Sequence, residues 1–183
     1  MWPLLNSLNF FKYIFLSLIF FALDQISKVL IKSTFSEQVS GYWITSEGLD
    51  QIPIIDPILI FKRLENKGIA FGMDGDGSLS YIIMPVTILL TIGIIVYLYR
   101  VSNNHKIILP VSLSLILGGA LGNLFDRIFF GSVVDFIWAI GWSYIFNLAD
   151  TFITIGMILL VFSDIVAQKK NRNDKQRNKN ISS

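Results

Sequence analysis

Four apolar segments of the chain are each long enough to cross a lipid bilayer as a helix. They occupy about residues 10–31, 80–99, 106–125 and 143–166. A bilayer core is crossed by roughly 20 helical residues. Only 15% of the residues are charged and 53% are hydrophobic, whereas soluble domains contain about 25% charged residues. The sequence therefore predicts an all-α membrane protein with four transmembrane helices.

The first apolar segment is predicted to be a membrane helix that the protein keeps. A cleaved signal peptide needs a basic start and a small-x-small cleavage site, and the stretch "SLIFFALDQISK" offers no convincing site. The apolar run also continues beyond Asp24.

Basic residues predict how the chain crosses the membrane. The link between the second and third segments carries Arg100 and Lys106 and no acid, and the tail 169–183 has six basic residues and one acid. The loop 33–79 has seven acids and three basic residues. Because short cytoplasmic loops are rich in Lys and Arg, both termini are expected in the cytoplasm. The loop 33–79 and the link 126–142 are then outside.

Two segments outside the spans have distinct predicted roles. The outer stretch "PILIFKRLENKGIAFGM" mixes β-prone residues with Gly and Asn turn signals, which predicts a small antiparallel β-cradle at about 40–75. Residues 1–168 are predicted to form one membrane domain. The tail 169–183 is expected to be a disordered cytoplasmic anchor for the membrane and not a nucleic-acid-binding segment.

The unusual polar residues all fall at the outer ends of the predicted helices or in the outer segments. They are Asp24, Lys28, Asn66, Gly68, Asn123, Asp126, Arg127, Asp135, Asn147 and Asp150. The predicted orientation depends only on Lys and Arg in the loops and termini. The location of these polar residues on one side of the membrane is therefore an independent result. Intramembrane ionisable residues mark functional sites more often than chance. We therefore expect a functional site near the outer leaflet.

Each of these residues also has an ordinary structural explanation. Asp24 and Lys28 are four apart on one helix face and suit a salt bridge. Asn147 suits the N-cap of the fourth helix, and the segment 66–68 suits a turn. The segment "GGALG" at 118–122 is interpreted as close helix packing through small residues.

The sequence lacks the residues that most hydrolytic mechanisms require. The chain has no cysteine, and its one histidine, His105, is predicted on the cytoplasmic side. Ser-His triads, cysteine nucleophiles and H-E-x-x-H metal sites are thereby excluded. A Ser-Lys dyad of Lys28 with Ser27 or Ser132 matches no known signature. No metal and no cofactor are predicted, and a pair of carboxyl groups remains.

Two carboxyl groups held close in a poorly hydrated site share one proton, because both cannot ionise cheaply. Such a pair can hydrolyse an amide: the ionised Asp accepts a proton from water, while the protonated Asp polarises the scissile carbonyl. Two other functions fit the same residues. A small ion- or proton-coupled transporter would use Asp24, Asp135 and Asp150 as a relay, and a non-catalytic assembly factor would use the polar cluster to dock a partner.

Five motifs, in order, resemble those of the lipoprotein signal peptidase family, also called signal peptidase II. They are "DQISK" at 24–28, "NKGIAF" at 66–71, "GNLFDR" at 122–127, "VVDF" at 133–136 and "FNLAD" at 146–150. The resemblance covers roughly residues 10–167. It implies four membrane helices, an extracytoplasmic β-cradle and a short surface helix. It also implies an aspartic endopeptidase of the bacterial inner membrane that cleaves diacylglyceryl-prolipoproteins just before the lipidated cysteine.

The resemblance also implies roles for single residues. Asp135 and Asp150 match the catalytic dyad. Polar family positions that line the site, bind substrate or hold its shape are matched by Asp24, Asn66, Asn123, Arg127 and Asn147. Asp126 matches a motif position with a structural role. Lys28 and Gly68 are further candidates for binding substrate or supporting the site. Membrane lipids and globomycin-type cyclic peptide inhibitors are implied partners. We expect the protein to be a monomer.

Overall fold

The structure is a computed structural model that describes residues 2–35, 51–55, 58–67, 80–103, 107–139, 141 and 144–181. Within these residues, four helices are long and apolar enough to cross a membrane. They are α1 (Trp2–Thr34), α2 (Ser80–Val101), α3 (Ile108–Phe130) and α4 (Leu148–Ile181). Their apolar, membrane-length parts are Ser7–Thr34, Ile82–Val101, Ile108–Phe130 and Leu148–Val166. The predicted fold class is confirmed.

Helix α3 is the centre of the bundle. In its most apolar 18 residues 61% are buried in the protein, against 22% or less in the corresponding part of each other span. The other three helices expose many large apolar side chains, such as Leu89 and Ile158. Since water does not favour such surfaces, these faces suit the hydrocarbon of a bilayer.

Small residues let the helices approach α3 closely, as the "GGALG" segment predicts. A Cβ atom added at Gly118 would lie 2.6 Å from Cβ of Phe20 on α1. A Cβ atom at Gly119 would collide with the backbone of Ala149 on α4. Gly156 of α4 is equally close to α3, where Ile116 lies. The glycines therefore decide how near α1 and α4 come to α3.

A three-stranded antiparallel sheet accompanies the helices. Its strands are β1 (Ile52–Ile55), β2 (Leu59–Asn66) and β3 (Val133–Ala139), in the order β1-β2-β3. β1 and β2 form a hairpin within the loop 33–79, where the sequence predicts a β element. One face of the sheet packs on the end of α1, in an apolar cluster of Ile31, Phe35, Val134 and Phe136.

The third strand differs from the sequence prediction, which treats 126–142 as a plain outer link. In the structure α3 continues to Phe130, and Gly131 ends it with a left-handed φ of 71°. That turn directs the chain into β3, which pairs with β2 along its length. The β-branched and aromatic residues of β3 suit a buried strand, and the prediction overlooked them because it assigned the segment by its position between spans.

Part of the predicted β-cradle lies outside the described residues. Residues 36–50, 56–57 and 68–79 are among those not described, so the cradle can be followed only from 51 to 55 and from 58 to 67. A short surface helix does not occur in those two stretches or in 131–139. Gly68, one of the predicted site residues, also lies outside the described part.

The basic residues after the fourth span are part of helix α4. Helix α4 continues through the basic residues to Ile181, well past the apolar part that ends at Val166. The segment after Gly156 contains no further Gly or Pro. Its many Lys, Arg and Gln residues are good helix formers, so a helix already formed in the membrane can extend through them.

Candidate active site

Asp150 lies in the first turn of α4, where Asn147 caps the helix. The Asp150 main-chain N–H donates to Asn147 Oδ1 over 2.9 Å, and the Asn147 N–H donates to Asp150 Oδ2 over 3.3 Å. This reciprocal pattern is that of a capping box, with Asp in the position more often held by Glu. The carboxylate consequently lies at the positive end of the helix dipole, which favours a negative charge there.

Asp135 lies on β3, with only 3% of its surface exposed. Its two carboxyl oxygens accept hydrogen bonds from two amide side chains. Asn66 Nδ2 of β2 donates to Oδ2 over 2.8 Å, and Asn147 Nδ2 donates to Oδ1 over 2.7 Å. Asn147 therefore joins the two carboxyl groups, since its main chain contacts Asp150 and its side chain contacts Asp135.

Asn123 of α3 connects Asp150 and Asn147 to the buried Lys28. Its Oδ1 accepts from Lys28 Nζ over 3.1 Å and from Asn147 Nδ2 over 3.0 Å. Its Nδ2 donates to Asp150 Oδ1 over 2.7 Å. Because two donors face the amide oxygen, the amide nitrogen must point toward Asp150. The orientation of Asn123 is thus determined by its neighbours.

The electrostatics of the site favour the protonated form of Asp135. Burial raises the pKa of Asp135 to about 7, and the nearby charge of Asp150 acts in the same direction. Hydrogen bonds from Asn66 and Asn147 and the positive charge of Lys28 oppose this rise in the pKa. A carboxyl group with a pKa near 7 is largely protonated in mildly acidic solution and ionises above neutrality. The site therefore holds one carboxyl group with a raised pKa and a second carboxyl group at the wall of the same cavity.

Both carboxyl groups line one cavity of about 360 Å³. Its polar wall also includes Asn66, Asn123 and Arg127. The remaining wall is formed by Val133, Tyr144, Ile145, Phe146, Thr151, Thr154 and Ile155. The sequence prediction did not select these seven residues, because each is ordinary for an apolar helix or link when considered singly.

Behind the cavity, Lys28 holds two acids from different helices. Its Nζ lies 2.7 Å from Asp24 Oδ2 and 2.8 Å from Asp126 Oδ2. All three side chains are at most 3% exposed. Asp24 also accepts the main-chain N–H of Ala149 over 2.9 Å, which ties α1 to the first turn of α4. The predicted Asp24–Lys28 salt bridge is present, and it belongs to a buried network that also includes Asp126.

Two residues of this network were not predicted as site residues. Gln25 Nε2 donates to Asp126 Oδ1 over 3.1 Å and lies 3.2 Å from Asp24 Oδ2. A Cβ atom at Gly122 would collide with the Asp24 carboxylate. Gln25 and Gly122 belong to the motifs "DQISK" and "GNLFDR", which was the available signal for them.

The other candidates have separate positions. Arg127 lines the cavity, and its Nη1 donates to the Asn123 main-chain oxygen over 3.4 Å. Ser132 Oγ donates to Glu65 and Ser27 Oγ donates to the main-chain oxygen of Asp24. Neither serine is bonded to Lys28 through these hydroxyl groups, so the geometry offers no support for a Ser-Lys dyad.

Comparison with known proteins decides the family. Residues 16–166 match the family model described as Signal peptidase (SPase) II. The chain belongs to the signal peptidase II family. This match covers most of the chain, including every motif on which the sequence resemblance was based.

Two relatives of known family agree with this assignment. A lipoprotein signal peptidase of Fusobacterium nucleatum is 34% identical over 163 residues, covering 87% of this chain and 90% of the relative. A lipoprotein signal peptidase of Shouchella clausii is 36% identical over 161 residues, covering 87% of this chain and 95% of the relative. The resemblance to signal peptidase II is therefore confirmed.

Two solved structures of bacterial membrane enzymes share the fold. One matches with a TM-score of 0.67 at 28% identity, covering 87% of this chain and 90% of the solved one. The other has a TM-score of 0.63 at 28% identity, with 83% and 91% covered. Membership of the signal peptidase II family confirms an aspartic peptidase in the inner membrane that crosses it several times. Nothing in the fold or the comparisons favours a transporter.

Proposed function

We propose that this signal peptidase II removes the signal peptide from diacylglyceryl-prolipoproteins, just before the lipidated cysteine, with Asp135 and Asp150 as its catalytic dyad. One observation carries the assignment of the dyad: Asn147 bonds to both carboxyl groups at the wall of a single cavity. The relatives named lipoprotein signal peptidase support the choice of substrate.

The chemistry needs one proton shared by the two carboxyl groups. The ionised Asp accepts a proton from water, and the water oxygen bonds to the scissile carbonyl carbon. The protonated Asp donates a hydrogen bond to the carbonyl oxygen, which develops negative charge. The C–N bond then breaks, and the leaving amine takes up a proton from the dyad. No cofactor is required for these steps.

We assign the base to Asp150 and the acid to Asp135. Asp150 accepts N–H groups from Asn147 and Asn123 at the N-terminus of α4, where a carboxylate is stabilised. Asp135 is almost fully buried, and its pKa of about 7 keeps it largely protonated in mildly acidic solution. The two environments thus separate the two roles.

The neighbouring polar residues position the dyad and the substrate. Asn66, Asn123 and Asn147 hold the carboxyl oxygens through amide N–H groups. Arg127 lines the same cavity and carries a permanent positive charge, which suits a substrate carbonyl or the ester groups of a lipid. Asp24, Lys28 and Asp126 support the site from behind the cavity.

The site is assigned to the outer side of the membrane. Its residues lie near the C-terminal ends of α1 and α3 and at the N-terminal end of α4, which is one end of the bundle. The basic link and tail belong to the opposite end and suit the cytoplasm. Both termini are then cytoplasmic, and the dyad lies near the outer leaflet.

The cavity has a wall that faces lipid. Thr154 and Ile155 line it and are also exposed on the apolar span of α4. A substrate whose signal helix and lipid chains lie in the bilayer can therefore reach the dyad sideways. Globomycin-type cyclic peptides would occupy this same groove. All groups of the site come from one chain, so we assign activity to a monomer whose membrane domain is residues 1–168.

The dyad is tested by incubating the purified protein with a lipidated prolipoprotein and following the change in gel mobility. Asp135→Asn and Asp150→Asn should each lose at least about 1,000-fold in turnover. Asp164→Asn is the matched control, since this residue is exposed on α4 beyond the site. Near-normal turnover in both variants, with folding intact, would contradict the assignment of Asp135 and Asp150 as the catalytic dyad.

A further inference from the structure

A second buried charge cluster lies next to the candidate active site, on β2. Glu65 is only 7% exposed and its Oε1 accepts from Arg63 Nη2 over 2.7 Å and Arg63 Nε over 3.2 Å. Its Oε2 accepts from Ser132 Oγ over 2.7 Å. These bonds from Ser132 and Arg63 outweigh the effect of burial and lower the pKa of Glu65. The side chain is therefore a carboxylate at neutral pH.

The cluster joins three parts of the chain. Arg63 and Glu65 belong to β2, and Ser132 lies in the turn between α3 and β3. Arg63 Nη1 also donates to the main-chain oxygen of Phe35 over 3.2 Å, at the end of α1. Loss of the Glu65 carboxylate would leave the other partners poorly satisfied, which is costly for buried groups.

Glu65 lies on the face of the sheet opposite the cavity. Asn66 pairs with Val133, and Val133 is two residues from Asp135, so Asn66 and Asp135 share a face. Glu65 pairs with Val134, whose side chain belongs to the apolar cluster against α1. Neighbouring residues of β2 thus lie on opposite faces of the sheet: Glu65 is on the face that packs against α1, and Asn66 is on the face of Asp135.

We propose that Glu65 is a positioning residue: through Arg63 and Ser132 it fixes the end of β2 so that Asn66 stays bonded to Asp135. This role depends on the proposed chemistry of Asp135. Asn66 is the last residue of β2 and pairs with Val133 of β3. The hydrogen bond between Glu65 and Ser132 ties this strand end to the turn before β3, on the sheet face opposite the cavity. It thereby secures the register of Asn66 against β3.

The pH dependence of the reaction distinguishes positioning from general stability. The Asn66 hydrogen bond lowers the pKa of Asp135. When that bond is loosened, the pKa of Asp135 rises and the fall of activity in alkaline solution moves to higher pH. The charged groups that act on Asp135 are Asp150 on α4 and Lys28 on α1, and Arg127 of α3 lines the same cavity.

Around Glu65 the charged groups are Arg63 on β2 and Lys32 on α1. A change at Glu65 leaves Asp150 and Lys28 unaltered. A shift in the pH at which activity falls in alkaline solution therefore reports on the hydrogen bond from Asn66 to Asp135.

The experiment compares Glu65→Gln, Glu65→Ala and Ser132→Ala with the wild type in purified, full-length protein. We expect kcat to fall roughly 10- to 100-fold in Glu65→Ala and about 3- to 10-fold in Ser132→Ala, with KM little changed. The pH at which activity falls in alkaline solution should increase by up to about 1 unit. Ser33→Ala is the matched control, because its exposed Oγ bonds only to the main chain of α1 in the described structure.

Asn66→Ala gives the reference shift, and the double variant Glu65→Ala/Asn66→Ala should add nothing to it. An alkaline limb that stays at the wild-type pH in folded Glu65 and Ser132 variants would overturn the inference. If Glu65→Ala does not fold, Ser132→Ala decides alone, since it removes a single hydrogen bond. Retained turnover in Asp135→Asn would instead defeat the proposed function, so the two failures are distinguishable.

Discussion

At the scale of single residues, the site depends on side chains that each serve two neighbours. Asn147 caps α4 and also holds Asp135, and Asn123 accepts from Lys28 while donating to Asp150. A residue with two fixed partners has little freedom to rotate. The carboxyl groups are therefore held in place before a substrate arrives, which is where enzymes gain much of their rate.

The protonation of Asp135 predicts the pH dependence of turnover. Since its pKa is raised to about 7, Asp135 carries the proton below that pH and loses it above. Activity should therefore fall as the pH rises through about 7. A pH profile of kcat on lipidated prolipoprotein checks this. Constant turnover between about pH 6 and 9 would contradict the assigned acid.

The Lys28 network predicts a defect in folding more than in chemistry. In Lys28→Met, Asp24 and Asp126 remain buried without their cation, which should lower the free energy of unfolding by about 3–5 kcal/mol. Thermal melts in detergent measure this loss, with the exposed Lys12→Met on the same helix as control. A normal melt together with lost turnover would show that Lys28 acts in the reaction itself.

At the scale of elements, close approach between helices places the residues of the site. α3 is the buried central helix, and its glycines let α1 and α4 come near enough for their polar groups to meet. The sheet contributes from the other side, because β3 carries Asp135 and β2 carries Asn66. The candidate active site therefore lies where three helices and two strands converge.

Gly122 offers a test of this close approach. In Gly122→Ala the new methyl group would collide with the Asp24 carboxylate and lie 3.4 Å from Cβ of Ala149. We expect a destabilisation of about 1–3 kcal/mol and reduced turnover. Gly93→Ala on α2 is the matched control, since its methyl group would meet nothing within 4 Å. Equal melting temperatures for the two variants would refute the packing argument.

At the scale of the whole molecule, the charges are divided between the two ends of the bundle. The tail 169–183 carries six basic residues and one acid, whereas the rest of the chain has nine basic and twelve acidic residues. The candidate site lies at the end away from the tail. Because Lys and Arg favour the cytoplasmic side, this division supports the proposed orientation, in which the site lies near the outer leaflet.

The absence of cysteine from the sequence makes this direction simple to test. Single substitutions Lys67→Cys and Gln168→Cys place one thiol at an exposed position on each predicted side. In intact bacterial cells lacking an outer membrane barrier, a membrane-impermeant maleimide should label Lys67→Cys and not Gln168→Cys. Permeabilised cells should show both labelled. The reverse pattern in intact cells would contradict the proposed orientation.

The sequence by itself determined the four spans, and it predicted the polar cluster and the carboxyl pair at one end of them. Spans follow from the length of apolar runs, because a bilayer admits few alternatives. The pair Asp135 and Asp150 followed from the absence of other chemistry and from the motifs. Their catalytic role remains a proposal, and Gly68 lies outside the described residues.

Only the tertiary structure decided which side chains meet. The strand β3, the contacts of Gln25 and the Glu65 cluster depend on strand register and on how closely helices cross, and neither is encoded in local periodicity. Asn147 shows the difference: its sequence position predicts a helix cap, and only the fold brings that cap to Asp135. Contacts between distant segments depend on packing across the whole bundle, whereas spans depend on the solvent around one segment.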